Sequence, residues 1–62
     1  MNTLHNYIAA QRLAKDHLIT AEIRLKKGDE YGAIEHLMKS IREFQTMTNI
    51  VAKLRFPKRA RP

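Results

Sequence analysis

The sequence predicts an all-α fold: an antiparallel two-helix hairpin that dimerises into a four-helix bundle and carries a basic C-terminal tail. Three observations predict it. Apolar residues recur at helical spacing on both sides of one short break, Lys26-Lys27-Gly28-Asp29-Glu30. The two periodic stretches are matched in length, about 24 residues or roughly 36 Å each at 1.5 Å rise per residue. The chain of 62 residues has no cysteine and carries more apolar side chains than two helices can cover. Chains of this size usually need disulfides, a metal or a partner chain.

The break reads as a turn because its residues suit the ends of two helices. Gly28 tolerates the left-handed conformation that terminates a helix. Lys26 and Lys27 place positive charge against the carbonyl end of the first helix dipole. Asp29 is a good N-cap for the second helix, and Glu30 adds negative charge at the same end. The predicted boundaries are helix 1 at about 3–27, turn 28–29, helix 2 at about 30–54 and a tail at 55–62.

Helix 1 starts with Asn2 or Thr3 as its cap and meets no glycine or proline before the turn. Leu4, Tyr7, Ile8, Ala14, Leu18, Ala21 and Leu25 form its apolar stripe, interrupted by Gln11. Ile19 and Ile23 widen the stripe, while Leu13 lies nearly opposite its centre. Helix 2 has the stronger pattern. Ile34, Leu37, Ile41, Phe44, Thr48 and Val51 alternate steps of three and four, with Met38, Met47, Ile50 and Leu54 beside them. Gly32, in its first turn, suits a close backbone approach. Leu18, Leu25, Ile34, Leu37, Ile41, Phe44 and Val51 are therefore the predicted core and dimer contact. Leu13, Met38, Met47 and Ile50 are the candidate partner surface, methionine being adaptable at contacts.

Charge is unevenly placed. Of the net +6, residues 1–52 contribute little, with seven Lys/Arg against six Asp/Glu, and the last ten residues hold five cations and no acid. Lys53, Arg55, Lys58, Arg59 and Arg61 are the candidate anion contacts. They read either as a solvated tail or as a non-specific contact with nucleic-acid phosphate or an acidic protein surface. Pro57 ends any helix, and Arg55-Phe56 before it is biased towards extended structure. Phe56 either folds back on the hairpin or meets a partner.

The chemistry of catalysis has no recognisable footing. His5, His17 and His36 lack the i, i+4 spacing of a helical metal site and read as surface or boundary residues. Neither an activated nucleophile nor a phosphate-cradling glycine loop is present. The expectation is a non-enzymatic interaction or regulatory protein with no cofactor, metal or small-molecule substrate. No apolar run reaches the ~18 residues of a membrane span, and the N-terminus lacks the pattern of a signal peptide. A cytoplasmic location is expected, as the lack of cysteine allows.

Two resemblances add to this reading. KKGDEYGAIEHLMKSI resembles the turn and second helix of a single tetratricopeptide repeat, matching at Ala21, Gly28, Asp29, Ala33, Ile34, Leu37, Lys39, Ser40 and Ile41. It departs from that pattern at Arg24, Glu30 and Gln45, and implies a helical hairpin. The whole chain, with MNTLHNYIAAQRLAKDHL, the hairpin layout and the basic end, resembles the small early accessory proteins of lambdoid phages from the exonuclease–excisionase region. That resemblance implies an early protein of the host cytoplasm that modulates host growth or the lysis–lysogeny choice.

With the bulky stripe of helix 2 taken as the core, replacing Ile41 or Phe44 by alanine is expected to cost about 2–5 kcal/mol. Thermal unfolding checks this, and a melting temperature that barely moves in both variants would mean that the seam lies elsewhere.

Overall fold

The computed structural model describes residues 2–55 and contains two helices, α1 (Asn2–Lys26) and α2 (Glu30–Arg55), packed antiparallel. The boundaries lie within a residue of those predicted. Thr3 falls inside the first turn of α1 rather than capping it. Arg55 continues α2 instead of opening an extended tail, because Pro57 restricts the residue directly before it, not the one before that. Phe56, Lys58, Arg59 and Arg61 lie outside the described residues.

The turn closes as its residues dictate. Gly28 sits at φ 81°, the left-handed region. The amide of Asp29 donates to the Arg24 carbonyl at 2.8 Å and that of Gly28 to the Leu25 carbonyl at 3.0 Å. This paired 6→1 and 5→2 pattern is the Schellman ending, which satisfies carbonyls that would otherwise lack donors. Asp29 then starts α2. Its Oδ1 accepts from the Gly32 amide at 2.9 Å, and its backbone carbonyl takes the first helical bond from Ala33 at 3.1 Å. The Arg24 guanidinium reaches Asp29 Oδ2 at 3.5 Å. Gly32 serves this cap rather than the helix–helix approach expected of it: a Cβ there would collide with the Asp29 carboxylate. Lys26 pairs with Glu22 and Lys39 with Glu35 at 3.5 and 3.9 Å. Both pairs are exposed i, i+4 contacts and add little stability.

The seam between the helices is made of small residues, which corrects the predicted core. Ala10, Ala14 and Ala21 on α1 and Ala33 and Ser40 on α2 are the buried residues. Leu18, Leu25, Ile34, Leu37, Ile41, Phe44 and Val51 are all exposed on the single hairpin, Ile41 at 62% and Phe44 at 45%. The seam keeps a heptad rhythm on both helices. Thr3, Tyr7, Ala10, Ala14, His17 and Ala21 step by four and three, and Ala33, His36, Ser40, Glu43, Met47 and Ile50 answer them, all buried or half-buried. The register is fixed at mid-length, where Ser40 Oγ donates to the Ala14 carbonyl at 3.3 Å. The buried hydroxyl is thereby satisfied, and it ties the two backbones together. Alanine and serine let the helices pack closely along much of the seam, and the bulkier seam residues Tyr7, Met47 and Ile50 stand toward the open end. Met47 and Ile50, read from sequence as partner surface, are half-buried at the open end of this seam.

Two substitutions test this packing by thermal or urea unfolding. Ala21→Leu is expected to force a large side chain into a closed seam and to cost about 1–3 kcal/mol. Gly28→Ala forces a left-handed backbone on a residue with a Cβ and is expected to cost about 1–2 kcal/mol.

Candidate functional site: a one-sided apolar face

The bulky apolar residues sit one position after the seam on both helices. On α1, Leu4, Ile8 and Leu18 follow Thr3, Tyr7 and His17, and Leu25 stands four residues after Ala21. On α2, Ile34, Leu37, Ile41, Phe44 and Val51 follow Ala33, His36, Ser40, Glu43 and Ile50. One residue is about 100° of turn. Because the helices are antiparallel, the sense of that turn reverses between them when viewed from one end. Their seam directions are also opposed, so the two reversals cancel. Both bulky rows therefore lie on the same broad side of the hairpin.

The open end of the hairpin bears this out. Leu4 of α1 and Val51 of α2 line one groove of about 540 Å³ with Tyr7, Ile50 and Leu54. Phe44 and Thr48 carry the same side further along as a second groove of about 500 Å³, again against Tyr7 and Val51. Phe44, expected in the core, thus stands on the surface, and Tyr7 is the half-buried edge residue its position suggested. The α2 half of the face is apolar from Ile34 through Phe44 and again at Val51, with Thr48 between them. The α1 half is broken by Gln11, Lys15 and Glu22, all exposed.

The opposite broad side holds the residues one position before the seam. These are Asn6, Asp16 and Thr20 on α1, and Glu35, Lys39 and Arg42 on α2. Leu13 is a large apolar residue among them and is 46% exposed, and Ile19 and Ile23 are also exposed on α1 outside the apolar face. Met38, also exposed, lies on the edge of α2 turned away from α1. Leu13 and Met38 stand outside the apolar face and remain the exposed members of the predicted partner surface. Lys53 and Arg55 are exposed on the last turn of α2 and are the candidate anion contacts among the described residues.

Sequence reasoning missed one juxtaposition. His17 and His36 meet across the seam with Nδ1 atoms 3.0 Å apart and ring centroids 5.2 Å apart, the rings tilted by 31°. Their separation of 19 residues hides the contact in any spacing rule written for one helix. The signal that would have found it is the pairing register across the turn, in which His17 and His36 fall between the Ala14–Ser40 and Ala21–Ala33 layers. His5 remains an exposed residue of α1. Among the described residues no group of three or more His, Cys, Asp or Glu gathers into a metal-binding cluster, and no helix is long and apolar enough to cross a membrane.

Fold and surface together define a class: a two-helix hairpin, closed by small residues, with its bulky apolar residues gathered mainly on one broad side. Compared with known protein families, curated proteins and solved structures, the chain returns no match.

Proposed function

We propose that this chain is a non-enzymatic interaction protein whose working unit is a homodimer, two hairpins stacking their apolar sides into a four-helix bundle. The observation that carries the reading is the one-sided row of exposed Leu, Ile, Phe and Val on both helices. Among the described residues only four alanines and one serine are buried in the single hairpin, while Leu, Ile, Phe and Val side chains of both helices stay exposed. Self-association also supplies what the hairpin lacks, a core of bulky side chains. In this arrangement Leu18, Leu25, Ile34, Leu37, Ile41, Phe44 and Val51 pack between protomers rather than within one.

The biological role we attach to the dimer is that of a temperate-phage early protein in the host cytoplasm, modulating host growth or the lysis–lysogeny choice. The resemblance of the N-terminal stretch, hairpin layout and basic end to the lambdoid accessory proteins supports this role. A host protein would meet the surface that the bundle leaves free, at Leu13 and Met38. Non-specific nucleic-acid binding through Lys53, Arg55, Lys58, Arg59 and Arg61 is the second reading, supported by the concentration of positive charge in the last ten residues.

Light scattering at tens of micromolar is expected to report a dimer, and a folded monodisperse monomer would overturn the reading. Phe44→Ala and Ile41→Ala are expected to weaken the dimer and to lower the melting temperature at a given protein concentration. Met38→Glu is expected to leave the dimer intact and to abolish capture of a host protein. If it dissociates the dimer instead, Met38 belongs to the self-interface.

Titration of duplex DNA with and without residues 55–62 separates the second reading from the first. Phosphate contact predicts tail-dependent binding, indifferent to sequence, whose logarithm falls with log salt at a slope of about −4 to −5 for five cations. No binding at low salt leaves the protein-partner reading alone.

A further inference from the structure

The geometry points to a two-imidazole site for a divalent transition-metal ion at His17 and His36, clamping α1 to α2 at the middle of the hairpin. Imidazole nitrogens bind zinc at about 2.0–2.1 Å and suit nickel and copper as well. Two such donors held cis on one ion lie about 2.9–3.4 Å apart, for ligand angles between a right angle and the tetrahedral value at those bond lengths. The Nδ1 atoms of His17 and His36 are 3.0 Å apart. The spacing that now carries a hydrogen bond is therefore also the spacing of a chelate, reached when each ring turns by roughly 40° so that both lone pairs meet at one point beside the N···N line.

The surroundings favour the site. Each ring comes from a different helix, and the layers on either side hold Ala14 with Ser40 and Ala21 with Ala33, which are buried. The rings are thus positioned by the best-packed part of the seam. Within the heptad, Thr3, Ala10 and His17 of α1 and His36, Glu43 and Ile50 of α2 lie on the half of the seam nearer the polar side. The imidazoles are half-buried there, close enough to solvent for an ion and its remaining water ligands. Charged groups within one turn are Lys15 and Asp16 on α1, and Glu35 and Lys39 on α2. Lys39 pairs with Glu35 at 3.9 Å, which offsets its charge. Because the site lies away from the apolar side, it does not rest on the dimer reading.

Protons balance simply. In the neutral pair one Nδ1 carries a proton and donates it to the other. On binding, that ring moves its proton to Nε2, so both Nδ1 lone pairs face the ion and no net proton leaves. A proton on either Nδ1 must leave before the ion binds, so acid weakens binding.

The test uses the full chain without an affinity tag, stripped with chelator, and titrated with nickel or zinc chloride at pH 7.5 and pH 5. At pH 7.5, saturation at one ion per chain is expected, with a rise of several degrees in the melting temperature at ion concentrations far above Kd. The rise is expected to vanish at pH 5 and in His17→Gln and His36→Gln, and to persist in His5→Gln. In the unsubstituted chain, paramagnetic nickel is expected to broaden amide and imidazole NMR signals around residues 17 and 36, a readout that survives if a variant folds poorly. No stabilisation at pH 7.5, stabilisation that survives both seam variants, or broadening confined to His5 and the N-terminus would overturn the site.

Discussion

Everything in this hairpin depends on how closely its two backbones approach, and small side chains set that distance. Alanine at positions 10, 14, 21 and 33 leaves little between the helices, and the buried Ser40 hydroxyl reaches across to the Ala14 carbonyl. Such a seam contributes little hydrophobic free energy, because alanine buries little apolar area. It does fix geometry. Close backbones allow a side-chain hydroxyl to tie one helix to the other, and they bring two imidazoles from opposite helices to hydrogen-bonding range. Where alanine and serine meet they leave no room for Leu, Ile or Phe between the helices, and most of the bulky residues stand to one side.

The consequence is a molecule whose shape and whose stability come from different residues. The turn is held by local hydrogen bonds, with Asp29 capping α2 and Gly28 ending α1, and needs nothing bulky. The seam sets register. The hydrophobic driving force is largely unspent in the single hairpin and sits on the surface as an ordered face. The proposed bundle completes this division by supplying, from a second copy, the burial that the first cannot provide for itself.

The turn was legible because its residues act through their own backbone and nearest neighbours: glycine at a positive φ and an aspartate cap leave direct signatures. The helices were legible from period alone. The seam was not, and the error was one residue. In α2 the row Ile34, Leu37, Ile41, Phe44 and the row Ala33, His36, Ser40, Glu43 have the same rhythm, and hydrophobicity favours the first. What decides between them is steric, since the row that can be brought closest wins the intramolecular contact. On α1 the stripe read from sequence mixed both rows, with Tyr7, Ala14 and Ala21 from the seam and Leu4, Ile8, Leu18 and Leu25 from the face. Gln11 looked like an interruption because it follows Ala10 onto the exposed side. The histidine pair escaped because it depends on register across the turn, which Ser40 and Ala14 set.

The one-residue offset between seam and face has a further meaning for how such a chain can change over generations. Residues that hold the hairpin together and residues that it displays interleave along the same helices yet do not share positions. A drift from isoleucine to leucine or valine at 34 or 41 leaves the seam untouched, whereas enlarging Ala21 or Ala33 disturbs the hairpin whatever the outer face carries. A change at 34 or 41 acts on the proposed contact between protomers, whereas a change where alanine and serine stand acts on the hairpin itself.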